Sequence, residues 1–134
     1  MKIEHLNFIY SFLNAFIPSL TLQDIKKIIK SIKKNKLYLW QIPIDKGANY
    51  IKGADATLAF DFIDKHDAFE FFYDDCFSDK EPKPLDNNHC SALLIREEGL
   101  FEFYVFASNF DWCFVVTHEG DNCGPFFFTK KQNK

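Results

Sequence analysis

The sequence predicts an α+β domain, in which N-terminal helices pack on a mainly antiparallel sheet ending in a four-strand meander. Three observations lead there. Apolar residues recur at helical spacing in the first third of the chain. From residue 91 the apolar period changes to two, with turn residues between the runs. The chain has 134 residues, 47% of them hydrophobic, which suits a single domain (1–134) whose core needs neither disulfides nor a structural metal.

Taken in order, residues 3–17 place Leu6, Ile9, Leu13 and Phe16 on one helical stripe, and Pro18 ends that helix. A second helix runs over 22–36. Thr21 is its N-cap and Asp24 stands three residues on, the arrangement of a capping box. "LYLWQIPI", 37–44, reads as an edge strand because Pro43 lacks a donor, and "DKGANYIKGAD" reads as a loop. "ATLAFDFI", 56–63, reads as a strand with Leu58, Phe60 and Phe62 on one face, and Asp64 caps a third helix over 65–77. Residues 78–88 form a polar, Pro-containing connection. The meander follows: "SALLIR", the turn "EEG", "LFEFYVFA", the turn "SNFD", "WCFVVTH", the turn "EGDNCG" and "PFFF". Trp112, Phe114 and Val116 face one side, Cys113, Val115 and Thr117 the other, and both sets are largely apolar. That strand is therefore central.

Charge is distributed unevenly along the chain. Residues 1–54 carry nine Lys against three acids, while residues 55–128 carry sixteen acids against four basic residues. An asymmetry of this kind concerns partners rather than fold. The N-terminal apolar run is broken by Glu4, His5, Asn7, Ser11 and Asn14, so it lacks the continuous segment of a signal peptide, and no run has the length of a membrane span. The four Cys show no paired spacing, which points to reduced thiols in the cytoplasm.

Sequence chemistry gives little support to catalysis. His89, Cys90, His118 and Cys123 are the zinc candidates, but CxxC and HxxxH spacings are absent, so neither metal nor cofactor is expected. His118 with Cys123 is the alternative, as a thiolate–imidazole pair of a small enzyme or as metal ligands; no helix N-terminus follows to lower the thiol pKa. Phosphate-cradling Gly loops, HExxH and GxSxG are missing, and the chain is not expected to be an enzyme. The Lys-rich helix 22–36 is a second alternative, a nucleic-acid adaptor. It carries no Arg and no interleaved aromatic, so it reads as a solvated face, and no direct contact with nucleic acid or membrane is expected.

The acidic half is more informative. On a helix over 65–77, Ala68, Phe69, Phe72 and Cys76 form one stripe, with Asp67, Glu70 and Asp74 opposite. Phe71 lies at the edge of that acidic face, with Asp75 beyond it. An aromatic anchor among carboxylates has the composition of an interface hot spot, so Asp67, Glu70, Phe71, Asp74 and Asp75 are the candidate partner-binding residues. The competing expectation is that Phe71 packs inside, as most Phe do.

The segment "YVFASNFDWCFVVTHEGDNCGPFFF" resembles the C-terminal signature of small bacterial proteins from polymorphic-toxin and contact-dependent growth inhibition loci, where a W-x-[FY]-V-x-T-H-E strand precedes GP-[FY]-F. The resemblance covers about a fifth of the chain. It implies an immunity protein that binds and blocks one cognate toxin domain, usually a nuclease. The acidic half agrees in sign, because a nuclease must be basic to hold phosphate.

Overall fold

The computed structural model describes residues 3–34, 38–72, 82–100, 102–117 and 123–130. Helix α1 (Ile3–Phe16) and helix α2 (Leu22–Lys33) lie close to their expected bounds. Phe8, Ile9, Phe12, Leu13 and Phe16 are all buried. The capping box of α2 is present: Asp24 N–H donates to Thr21 Oγ1 at 3.1 Å, and Thr21 N–H donates to Asp24 Oδ2 at 3.0 Å. The Thr21 backbone N–H, followed by the Thr21 side chain, holds the Asp24 carboxyl below the ordinary carboxylate value. Ile25 and Ile32 are buried, whereas Lys26, Lys27 and Lys30 are exposed.

The middle of the chain departs from the sequence expectation. Gln41–Asp45 is a short helix, α3, rather than a strand. Pro43 is its third residue, where the missing N–H has no intrahelical acceptor in any case. Asn49–Lys52, expected to be loop, is strand β1. Ala54–Phe62, expected to be a strand, is helix α4, which buries Ala56 and Phe60. Short apolar runs do not distinguish the two periods, and three alanines favour the helix. The expected helix over 65–77 contains strand β2 (Ala68–Phe72) instead, which pairs with the two-residue strand β3 (Lys83–Pro84). "SALLIR" belongs to helix α5 (Ala92–Glu98). Ser91 Oγ accepts Leu94 N–H at 3.2 Å, and Gly99 closes the helix in the left-handed region at φ 71°, a conformation glycine adopts without penalty.

The rest of the meander matches the expectation. Strands β4 (Phe103–Ala107), β5 (Trp112–Val116) and β6 (Phe126–Thr129) pair antiparallel in sequence. With α5 a helix, the meander has three strands, not four. The six-stranded antiparallel sheet runs β1-β6-β5-β4-β2-β3, with β5 and β4 at its centre. This is an α+β fold.

Helices cover both faces of the sheet. On one face Phe8, Phe12 and Phe16 of α1, with Ile25 and Ile32 of α2, meet Phe71, Tyr104, Cys113, Val115 and Phe128. On the other, Phe60 of α4 and Ile95 of α5 meet Phe103, Val105, Trp112, Phe114 and Phe127. The alternation along β5 is the one the sequence predicts. Phe60 stacks on Phe114 with ring centroids 4.2 Å apart and planes 9° from parallel. Each such ring contributes roughly 1.5–3 kcal/mol by leaving water.

Candidate interaction face and the histidine beside it

Of the residues picked out in sequence, the three that are described, Asp67, Glu70 and Phe71, do not share a face. Because 68–72 is a strand, neighbouring side chains point to opposite sides of the sheet. Phe71 is 2% exposed and stacks on Phe8, in the α1 side of the core. Glu70 is 3% exposed and points to the α5 side. Only Asp67, in the turn before β2, is exposed, and there it accepts Ser108 Oγ–H at 2.8 Å. Asp74 and Asp75 lie outside the described residues, as does His118. The helical acidic face expected over 65–77 is therefore not formed by Asp67, Glu70 and Phe71.

An exposed apolar surface occurs instead on the outer side of α4 and α5. Phe62 is 85% exposed, Leu58 on the preceding turn 55%, Leu93 59% and Leu94 41%. The two helices are tied where these residues lie. Asp61 Oδ1 accepts Ala92 N–H at 2.9 Å, capping α5 from α4 and setting Phe62 beside the start of α5. The same two segments are rich in carboxylates. Asp55, Asp61, Asp64, Asp67, Glu97 and Glu98 are exposed across 54–67 and 91–99, against the cations Lys65 and Arg96. The Lys65 amine is turned inward, donating to the carbonyls of Asp61 and Ile63 and lying 4.6 Å from the Phe60 ring centroid. Asp64 accepts His66 N–H at 3.0 Å, and that bond lowers its pKa and keeps it charged. Between α4 and the turn before β6, Thr57, Leu58, Arg96 and Pro125 border an open groove of about 480 Å³.

Beside this face lies a carboxylate–imidazole–carboxylate cluster. His89 ends a single 3-10 turn (Asn87–His89) whose cap is Asp86. Its Nδ1 is 2.9 Å from Glu70 Oε1, and its Nε2 is hydrogen-bonded to Glu98 Oε2. Glu70 Oε1 also accepts Asp86 N–H at 2.7 Å, and Lys83 Nζ stands 3.9 Å from Glu70 Oε2. Both ring nitrogens face carboxylates, an arrangement that favours a proton on each nitrogen, the imidazolium form. Burial opposes that charge. The hydrogen bonds to Glu70 and Glu98 outweigh it and raise the His89 pKa above its ordinary value. With both nitrogens donating, His89 offers no lone pair to a metal or to a substrate proton.

Sequence reasoning missed both features. Leu58 and Phe62 are four residues apart, as on a helix face, and Ser91 and Gly99 are cap residues at helical separation. In the sequence His89 stands out only as a zinc candidate beside Cys90, whose Sγ donates instead to Asp86 O. Cys113 is fully buried, which pushes its thiol pKa well up, and the Cys123 carbonyl accepts the hydroxyl of buried Thr117. Among the described residues, no group of three or more His, Cys, Asp or Glu is arranged to hold a metal ion. No helix among them is long and apolar enough to cross a membrane.

The architecture is that of an α+β protein with helices on both faces of an antiparallel sheet. The chain belongs to the DUF4275 family, a domain of unknown function, whose model matches residues 6–127. No curated protein and no solved structure matches it significantly.

Proposed function

We propose that this chain is a non-enzymatic immunity protein of a bacterial toxin locus. It binds one cognate toxin domain in the cytoplasm, a basic nuclease, through the outer face of α4 and α5. The observation that carries this reading is Phe62. A phenylalanine 85% exposed, on helices that also expose Leu58 and Leu93, has little reason to face water unless a partner covers it. The exposed Asp55, Asp61, Asp64 and Glu97 of the same segments favour a partner of positive charge. A nuclease surface has that charge because it must hold phosphates. The resemblance of the C-terminal strands to immunity proteins agrees with this reading.

The test is co-expression with the product of the gene directly upstream of the one encoding this chain. Growth arrest relieved by the wild-type chain and restored by Phe62→Asp supports the reading. An upstream product without toxicity, or toxicity the chain does not relieve, removes it.

A further inference from the structure

We propose that His89 is a proton-gated latch: doubly protonated, it fastens the end of α5 to β2, and on losing its Nε2 proton it releases Glu98. Three elements meet at this ring. Glu70 comes from β2, Glu98 is the last residue of α5, and His89 belongs to the 3-10 turn leading into α5. Among the described residues, two further charged side chains are placed near the ring's partners. Lys83 on β3 approaches the far oxygen of Glu70 at 3.9 Å, and the Asp86 side chain is turned to Asn88 N–H at 2.8 Å. β4 contributes only the Phe103 ring, edge-on at 5.1 Å, which carries no charge.

The two carboxylates are not equivalent, and this decides which bond opens. The Glu70 side chain is 4% exposed and also holds Asp86 N–H, so it can neither move nor hydrate. The Glu98 side chain is 53% exposed. A neutral imidazole has one N–H and one lone pair, so after deprotonation one carboxylate must face a lone pair. The proton stays on Nδ1 against the buried Glu70, and Glu98 turns to water. α5 then loses the tether at its C-terminal turn while keeping both caps at its N-terminus. Because the hydrogen bonds hold the proton on the ring, the latch is closed below the ordinary histidine value of 6.5 and opens as pH rises through the raised folded value. α5 carries Leu93, Leu94 and Glu97, so this step would also tune partner binding, a consequence that rests on the function proposed above.

The experiment is a titration of the full chain, without partner, from about pH 6 to about pH 10. Nitrogen NMR of the His89 ring is read together with amide-exchange protection factors of residues 95–98. The expected result is a doubly protonated ring that loses its Nε2 proton, with α5 protection falling about tenfold over the same range. In Glu98→Gln the amide can donate to neutral Nε2, so the ring still titrates but α5 protection stays level. A neutral ring protonated on Nε2, α5 protection indifferent to the ring, or a Glu98→Gln response equal to wild type would overturn the latch. Toxin binding measured below and above the transition is a separate arm. Unchanged affinity with an intact α5 response removes only the link to function.

Discussion

The rings of Phe8 and Phe71 stack with centroids 4.4 Å apart and planes 20° from parallel, joining α1 to β2 through the core. Phe71 is therefore a structural residue. Phe71→Ala should lower folding stability by about 3–5 kcal/mol, because it opens a cavity among Phe8, Tyr104 and Phe106 that rigid strands cannot close. Chemical denaturation checks this. A loss below about 0.5 kcal/mol, the range of surface substitutions, would contradict the packing of Phe71.

How legible the fold was depends on what each segment buries. β4, β5 and β6 read as nearly continuous apolar runs bounded by turn residues, because helices cover both faces of the sheet centre. α1 and α2 carry wide apolar stripes with a proline and a capping box as punctuation. The region between them and the meander was read in reverse. "ATLAFDFI" alternates like a strand, but the buried residues are Ala56 and Phe60, four apart, and Leu58 and Phe62 are left outside. "AFEFF" carries helix-like charges around it, and its strand state is imposed by five pairings with β4 that no local pattern encodes. The candidate site failed for the same reason. A period of 3.6 placed Glu70 and Phe71 near one face, whereas a period of two sends them to opposite cores.

The raised His89 pKa makes stability pH-dependent in a defined direction. Since the folded state holds the proton more tightly than the unfolded one, the His89 contribution is complete below about pH 6.5, the unfolded value. It is lost as pH rises through the folded value. Wild-type protein should lose stability over that window in urea titrations, and His89→Gln should be less stable overall with a flatter pH profile. Stability rising with pH through the window would reverse the assignment.

Asp61 illustrates a cap supplied from a distant element. Asp61→Ala leaves the Ala92 N–H at the start of α5 without its acceptor and should cost about 1 kcal/mol. Asp61→Asn retains an acceptor oxygen and should recover most of that loss. Equal destabilisation by both variants would show that charge, rather than the hydrogen bond, is what α5 needs.

Lys26 and Lys30 stand exposed on α2, and Lys33 continues the same sequence pattern. Changing all three to Gln should move stability by no more than about 0.5 kcal/mol and leave toxin neutralisation intact. Salt-sensitive binding of generic DNA or RNA by the wild type, abolished in the triple variant, would favour the adaptor alternative instead.

Phe62, the most exposed large apolar side chain among the described residues, separates interface from core most directly. Phe62→Ser removes a ring that is 85% solvent-exposed, so the melting temperature should stay within the range of surface changes, about 0.5 kcal/mol in stability terms. If Phe62 anchors the partner, the same substitution should speed dissociation of the cognate toxin domain and weaken binding by about 2 kcal/mol. Asp64→Lys and Glu97→Lys, both exposed and on the rim, should act differently. They should mainly slow association, and the effect should shrink as salt screens the attraction. Surface-plasmon kinetics on the three variants, read beside their melting curves, resolve these roles. Unaltered dissociation for Phe62→Ser together with salt-independent association for both reversals would place the toxin elsewhere on the molecule.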